Sequence, residues 1–150
     1  MPDIHKPVPI ASDHGGYAMK EFIIENLKSE GYEIVDYGVY SPEKSDYPDS
    51  IHPLAKDIND KRYPFGIIMC GSGNGAQMVA NKYAHVRAAL CWSEEITKLA
   101  RQHNNANIIS LPGRFLDFGF AFRLVKIFLD TPFEGGRHIP RVQKIPIGGK

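Results

Sequence analysis

The chain has 150 residues, enough for one domain with a buried core, and 43% of them are hydrophobic. Its net charge of +1 gives no signature of nucleic-acid or membrane binding, and no segment is long and apolar enough to predict a transmembrane helix. Its two cysteines suggest neither a disulfide framework nor a zinc motif, and no signal-peptide pattern is visible, so we expect a cytoplasmic protein.

Strand and helix patterns alternate along the chain. We predict strands at residues 8–11, 33–37, 65–69, 87–91 and 108–111. We predict helices at residues 17–30, 50–60, 94–102 and 116–129, and another directly after a glycine-rich segment at 71–75. Residues 41–48 are predicted as a loop, and residues 132–150 as an irregular C-terminal arm that reaches onto a partner chain. Pro9 is unusual for a central strand, because it lacks a backbone N–H.

This alternation predicts one α/β domain over residues 1–150, a doubly wound (Rossmann-like) five-stranded parallel sheet with helices on both faces, in a three-layer sandwich. Ligands bind such sheets at the carboxyl ends of the strands, near a switch in strand order. We therefore expect the ends of the first, third and fifth strands to lie together. The helix at 116–129 is apolar almost all round, which predicts a buried helix at a subunit contact.

The segment IIMCGSGNG at residues 67–75 is the most informative about chemistry. Its glycines let successive backbone N–H groups face one point, and a helix follows, so the loop suits an anion. The sequence of this segment does not fit a Walker A loop or a Cys-x5-Arg phosphatase loop, and it fits the dinucleotide-binding fingerprint only loosely. Cys70 is either a base or nucleophile at the lip of this loop or a small buried apolar residue, whereas Cys91 is predicted to be structural.

Other polar residues have ordinary explanations when each is taken alone. Asp13 could cap a helix, His14 and His103 could be structural, and Arg137 and Arg141 could be surface charge. The six histidines show no metal-ligand spacing, so we expect no metal site and no cofactor.

In combination, however, these residues form six motifs in one order. The motifs are DHGG at 13–16, DYP at 46–48, CGSGNG at 70–75, RQHN at 101–104, GR at 113–114, and EGGRH at 134–138 followed by Arg141. This arrangement resembles the type B ribose-5-phosphate isomerases, of the family that also holds the galactose-6-phosphate isomerase subunits. The resemblance covers residues 8–142 and is more specific for the family than for the sugar.

The resemblance implies a metal-free aldose–ketose isomerase of the pentose phosphate pathway, which interconverts ribose 5-phosphate and ribulose 5-phosphate through a cis-enediol. It implies that Cys70 is the base, that His103 assists ring opening, and that the backbone of the glycine loop holds the enediolate oxygen. The implied loop residues are Gly71, Ser72, Gly73, Asn74 and Gly75. The implied ligands of the sugar are Asp13, Tyr47 and Asn104, and those of the phosphate are His14, Arg114, Arg137 and Arg141. Sites in this family draw residues from two chains, which implies a homodimer or a dimer of dimers.

Three departures from the family pattern accompany the resemblance. Ser72 stands where a threonine is common, and Asn74 stands where relatives often carry an apolar residue. Some relatives have serine at the position of Cys70 and use a glutamate from the next helix, whereas this chain has Met78-Val79 there. Two alternatives remain: an isomerase of a six-carbon phosphate such as allose or galactose 6-phosphate, and a non-catalytic protein that binds sugar phosphates.

Overall fold

The computed structural model describes residues 6–149 as a five-stranded parallel sheet flanked by helices. The strands are β1 (Val8–Ser12), β2 (Ile34–Asp36), β3 (Gly66–Cys70), β4 (Ala88–Leu90) and β5 (Ile108–Pro112). The α-helices are α1 (Tyr17–Ser29), α2 (Tyr47–Asn59), α3 (Asn74–Ala80), α4 (Glu94–Gln102), α5 (Phe118–Asp130) and α6 (Ile139–Gln143). Every strand pair is parallel, so the predicted fold class is confirmed.

The sheet separates two layers of helices. The helices α1, α4 and α5 cover one face, where Ile23, Leu27 and Phe128 pack beside Ile109. The helices α2 and α3 cover the other face with a second cluster of buried residues, namely Ile51, Leu54, Ala55, Ile58, Ala76 and Ala80. Burial of apolar surface on both faces explains why the strands are almost continuously apolar in sequence.

Two predicted segments differ from the structure. The helix α2 begins at Tyr47 and not at residue 50, because Pro48 lies in its first turn, where the missing N–H has no helical partner to lose. The C-terminal arm is not wholly irregular, since it contains a 3-10 turn (Gly136–His138) and the short helix α6. The helix α5 buries one face against the sheet and leaves Phe118, Phe120 and Phe122 only partly buried.

Pro9 lies in an inner strand, a position that is unusual for a proline because it has no backbone N–H. The pairing of β1 with β3 begins at Ile10, which lies opposite Ile67, one residue after Pro9. The missing N–H of Pro9 therefore falls outside the paired register on that side of the strand.

The strand order is β2-β1-β3-β5-β4. The connection from β2 to β3 crosses over β1, so the winding direction of the sheet reverses between β1 and β3. That reversal opens a crevice at the carboxyl ends of these two strands, the usual ligand site of a doubly wound sheet. Across residues 6–149, no helix combines the length and the apolar character needed to cross a membrane.

Candidate active site

Three strand ends meet at the carboxyl edge of the sheet through close backbone contacts. A Cβ atom on Gly15, after β1, would lie 3.1 Å from the backbone nitrogen of Gly71, after β3. A Cβ atom on Gly113, after β5, would lie 3.0 Å from the carbonyl oxygen of Gly15 and 3.1 Å from that of Cys70. Larger residues would force the strand ends apart, so these glycines permit the packing. The prediction that the three strand ends lie together is confirmed.

Cys70 is the last residue of β3 and is only 5% exposed. Its carbonyl oxygen accepts the N–H of Gly113 at 2.9 Å, and the carbonyl oxygen of Gly71 accepts the N–H of Arg114 at 3.0 Å. These two bonds tie the start of the glycine loop to the end of β5. The backbone of Cys70 therefore has a fixed place at the carboxyl edge of the sheet, and its side chain belongs to the buried cluster beneath α2 and α3.

The glycine loop presents unpaired amides next to this thiol. Among the hydrogen bonds of residues 6–149, the N–H groups of Gly71, Ser72, Gly73 and Gly75 have no acceptor. Gly73 has φ +79, and its carbonyl oxygen accepts a hydrogen bond from Ser110 Oγ at 2.8 Å, which fixes the turn before α3. A run of free amides in such a turn forms a concave site for an anion.

Two side chains border the loop. The ring of Tyr47 lies against Gly75, where a Cβ atom would be 2.6 Å from the aromatic carbons. The guanidinium of Arg114 lies beside Gly71, with Nη1 3.4 Å from the position of a Cβ atom there. The structure thus brings Tyr47 and Arg114 to the loop, at positions where they could contact a ligand bound by its amides.

Ser72 and Asn74 contact each other within the loop. The hydroxyl oxygen of Ser72 accepts the backbone N–H of Asn74 at 3.3 Å and its side-chain amide at 3.2 Å. Because Ser72 accepts both of these bonds, its own O–H remains available as a donor. This contact gives Asn74 a role that an apolar residue could not fill.

Asp13 and His14 lie at the end of β1. Oδ1 of the buried Asp13 accepts the N–H of Gly16 at 3.1 Å, so Asp13 does cap the short 3-10 turn that follows it. The backbone N–H of Ser45 lies 3.1 Å from Nδ1 of His14, and the N–H of His14 donates to Ser45 Oγ at 3.0 Å. The carbonyl oxygen of Ser45 lies at the same distance of 3.1 Å from Nδ1, so either tautomer of the His14 ring finds a partner in the backbone of Ser45. Sequence reasoning missed Ser45, because no local pattern links residues so far apart in the chain.

The remaining predicted residues lie at the opposite, amino edge of the sheet. The helix α4 starts at the carboxyl edge after β4 and ends beside the start of β5, so His103 and Asn104 follow its far end. The N–H of Glu134 donates to the carbonyl oxygen of Gln102 at 3.1 Å, which brings the segment with Arg137 and Arg141 to the same place. The five residues of β3 alone span about 13 Å at roughly 3.3 Å per residue. Within one chain, His103 therefore does not reach Cys70.

Arg101 anchors this second group. It is buried, and its guanidinium donates from Nε to the carbonyl oxygen of Thr131 at 3.0 Å and from Nη1 to that of Ala106 at 2.6 Å. It also lies over the ring of Phe65, 4.7 Å from the centroid. Burial, with a smaller contribution from the charge of Arg87, lowers the pKa of Arg101 to about 10, so it stays charged at neutral pH.

A compact cluster surrounds His103. Its ring stacks on His138 with centroids 4.2 Å apart and an interplanar angle of 17°. Oε1 of Glu134 lies 3.5 Å from Nε2 of each histidine. Burial, and then the charges of His103 and Arg137, lower the pKa of His138, whereas Glu134 opposes that shift.

The same three side chains are the group of potential metal ligands within residues 6–149, with ligand atoms within 4.8 Å of one another. Nε2 of each histidine lies 3.5 Å from the same oxygen of Glu134, and the two rings are stacked. Sequence spacing could not show this cluster, because the chain returns to His103 only after α5.

The second cysteine lies in the core. Cys91 is fully buried, and burial raises the pKa of its thiol to about 11. A thiol in such surroundings is unreactive, so the structural role predicted for Cys91 is confirmed.

A doubly wound sheet with an anion-binding loop at its switch point is typical of enzymes that act on phosphorylated metabolites. Comparison with known families matches residues 8–145 to the ribose/galactose isomerase family. The chain is 44% identical over 140 residues to a probable ribose-5-phosphate isomerase B of Mycoplasma genitalium, covering 91% of each chain. It is 34% identical over 140 residues to the ribose-5-phosphate isomerase B of Escherichia coli, covering 93% of this chain and 94% of that one.

Solved structures agree with these sequence matches. A ribose 5-phosphate isomerase of Thermotoga maritima superposes with a TM-score of 0.92 at 45% identity, covering 95% of this chain and 99% of that one. A ribose-5-phosphate isomerase B of Mycoplasma genitalium with bound ribulose-5-phosphate gives a TM-score of 0.89 at 41% identity, with 93% of each chain covered. The chain belongs to the ribose/galactose isomerase family. It is a sugar-phosphate aldose–ketose isomerase.

Proposed function

We propose that this enzyme interconverts ribose 5-phosphate and ribulose 5-phosphate, with Cys70 as the base, in the cytoplasmic pentose phosphate pathway. The observation that carries the proposal is the buried thiol of Cys70 beside a loop of unpaired amides, bordered by Arg114. The ribulose-5-phosphate in the structure from Mycoplasma genitalium supports this choice of sugar.

The reaction moves one proton between two carbons. The Cys70 thiolate removes the proton from C2 of the open-chain aldose, and the electron pair of the broken C–H bond forms the C1–C2 double bond as the aldehyde oxygen becomes negative. The unpaired amides of the loop stabilise that oxygen, because they donate hydrogen bonds in a site that needs no reorganisation. The cis-enediolate passes the O2 proton to O1, and the Cys70 thiol returns its proton to C1, which leaves the C2 ketone.

We propose that each site is built from two chains. His103, Asn104, Arg137 and Arg141 lie at the edge of the sheet away from Cys70, so the partner in a homodimer or a dimer of dimers would supply them. Large apolar side chains beside the crevice support such a contact. Trp92 is 56% exposed after β4, Phe115 is 74% exposed after β5, and Met78 is 66% exposed on α3.

The polar residues take roles that suit their chemistry. His14, Arg114, Arg137 and Arg141 bind the phosphate, where guanidinium groups match its oxygens in pairs. Asp13, Tyr47 and Asn104 bind the sugar hydroxyls. His103 exchanges a proton with the furanose oxygen as the ring opens, a step that suits the near-neutral pKa typical of an imidazole.

The first experiment measures ketose formation from ribose 5-phosphate with EDTA present, for the wild type and for Cys70→Ala. We expect activity in the wild type and none above background in the variant. A wild type that acts only on allose or galactose 6-phosphate would contradict the proposed sugar. Full activity in Cys70→Ala would contradict the proposed base.

The role of His103 needs an aldose that cannot close into a ring. The equilibrium constant fixes the ratio of kcat/KM for ribose 5-phosphate and ribulose 5-phosphate, so a variant must change both values together. The 4-deoxy analogue of ribose 5-phosphate lacks the oxygen that closes the furanose ring and is always open. We expect His103→Asn to lower kcat/KM for ribose 5-phosphate by about 100-fold and for the analogue by only about threefold. Equal losses on both substrates would contradict the ring-opening role.

A further inference from the structure

Glu134 and His138 have no part in the proposed mechanism so far, although both contact His103. The ring of His138 is buried and stacks on that of His103, 4.2 Å away and tilted by 17°. The carboxylate oxygen Oε1 of Glu134 lies 3.5 Å from Nε2 of both rings. The same carboxylate oxygen thus lies within ion-pair distance of both imidazoles.

The backbone holds this arrangement in place. The N–H of Glu134 donates to Gln102, the residue before His103, at 3.1 Å, and the N–H of His138 donates to Gly135 at 3.1 Å. Gly135 and Gly136 both have positive φ, at +71 and +57, which turns the chain sharply between Glu134 and His138. The turn brings both side chains close to the ring of His103.

The two histidines differ in their surroundings. His138 is buried, Nε2 of its ring has no hydrogen-bond partner within residues 6–149, and Arg137 and Arg141 add positive charge nearby. A second positive charge there is unfavourable, so His138 stays neutral. The side chain of His103 is 36% exposed and can exchange protons with a ligand. The pair therefore carries at most one positive charge, and of the two rings only that of His103 is open to a ligand.

We propose that Glu134 and His138 are positioning residues for His103. His138 fixes the plane of the His103 ring by stacking. The negative charge of Glu134, with Oε1 3.5 Å from Nε2 of His103, favours a proton on that nitrogen and leaves Nδ1 to exchange a proton with the sugar. When His103 takes up a proton, the carboxylate of Glu134 stabilises the imidazolium. This inference rests on the proposed ring-opening function of His103.

The kinetic test compares Glu134→Gln with Glu94→Gln, a matched control. Glu94 is a similarly exposed glutamate at the other end of α4, where it pairs with Arg123 at 3.2 Å. We expect Glu134→Gln to lower kcat/KM for ribose 5-phosphate by about tenfold, a part of the roughly 10²–10⁴ contributed by a positioned acid–base group. For the 4-deoxy analogue we expect a change of at most about twofold, and Glu94→Gln should leave both values unchanged within the same margin. Equal losses on the two substrates would overturn the proposal.

The pH profile separates an electrostatic role from a merely structural one. In a profile of kcat/KM against pH, the limb that reports on His103 is the one that disappears in His103→Asn. Because Glu134→Gln removes a negative charge that stabilises the imidazolium, we expect this limb to move to lower pH in that variant. His138, Arg137 and Arg141 also face this cluster and remain in place in that variant. An unmoved limb would overturn the role of Glu134.

Conservative replacement tests the stacking role. His138→Phe keeps a buried ring against His103, whereas His138→Ala removes it. We expect His138→Phe to retain kcat/KM for ribose 5-phosphate within about threefold of the wild type, and His138→Ala to lose about tenfold. If the two variants lose equally, the ring of His138 does not position His103.

A measurement without substrate keeps this inference distinct from the proposed function. The ¹⁵N shifts of the imidazole nitrogens report which nitrogen is protonated and at what pH. We expect His103 in the wild type to be protonated on Nε2 and to titrate at higher pH than in Glu134→Gln. If the wild type does not isomerise ribose 5-phosphate, the proposed function fails, while these shifts still confirm or overturn the arrangement of the cluster.

Discussion

The two edges of the sheet carry different kinds of chemistry. At the carboxyl edge, strand ends pack so closely that only glycines fit, and the backbone offers unpaired amides beside the buried Cys70 thiol. At the amino edge, titratable side chains gather around the partly exposed His103. The first edge is suited to stabilise a developing oxyanion and the second to move protons and bind phosphate. In the proposed mechanism, neither edge contains the whole set of residues that the reaction uses.

The largest expected effect is a loss of kcat on replacing Cys70 that does not occur on replacing the other buried cysteine, Cys91. We expect Cys70→Ala to lower kcat by about 10³-fold, because the variant has no base for the proton on C2. Exchange of that proton with deuterium from solvent should fall equally, while inorganic phosphate should still bind, as followed by calorimetry.

Cys91→Ala is the matched control for this prediction. Cys91 is fully buried in the core away from the crevice, so its replacement should cost stability through a small cavity and leave kcat within about twofold. An equal loss of kcat in both variants would mean that Cys70 acts through packing.

A smaller effect is expected on KM when an arginine is replaced at either edge of the sheet. Arg114 lies beside the glycine loop, and Arg137 lies in the 3-10 turn near His103. If both bind the same phosphate, either change to alanine should raise KM by about 30-fold, which corresponds to roughly 2 kcal/mol for a charged hydrogen bond. The exposed Arg123, which pairs with Glu94, provides a control that should leave KM unchanged. A normal KM in Arg137→Ala would place that residue outside the phosphate site.

The smallest effect concerns stability at the amino edge as the pH changes. Burial lowers the pKa of His138 below its ordinary value, so the unfolded chain binds a proton there before the folded chain does. The stabilising contribution of the neutral ring is complete above the unfolded pKa of about 6.5 and is lost as the pH falls towards the folded pKa. Urea unfolding at pH 8 and pH 6 should show that the free energy of unfolding falls more between these two pH values in the wild type than in His138→Asn. Equal losses would show that His138 does not titrate differently on folding.

Local patterns in the sequence predict the fold and the carboxyl edge well. Alternating elements with apolar strands specify a parallel sheet, and the ends of such strands lie at one edge, so Asp13, Cys70 and Arg114 could be grouped in advance. The sequence predicts too late a start for α2, because a proline near the start of a helix is as typical of a loop as of a first helical turn.

Contacts between distant segments could not be predicted. Ser45 binds His14 across 31 residues, and Glu134 and His138 reach His103 only because the chain returns to the end of α4 after α5. No periodic or spacing signal connects such segments, since their contact depends on how helices pack on the sheet. The EGGRH motif, through its resemblance to the type B isomerases, marks residues 134–138 as part of the site. The structure shows that Glu134 and His138 are the members of this motif that contact His103.

The central claim is that one site combines the carboxyl edge of one protomer with the amino edge of its partner. Cys70→Ala and His103→Ala, carrying different affinity tags, can be co-expressed and their mixed dimers purified through both tags. In each mixed dimer one site contains both substitutions and the other contains neither. We therefore expect about half of the wild-type activity on ribose 5-phosphate, although each parent is about 100-fold or more less active than the wild type. A mixed dimer no more active than its parents would contradict the shared site and with it the account of how the two edges work together.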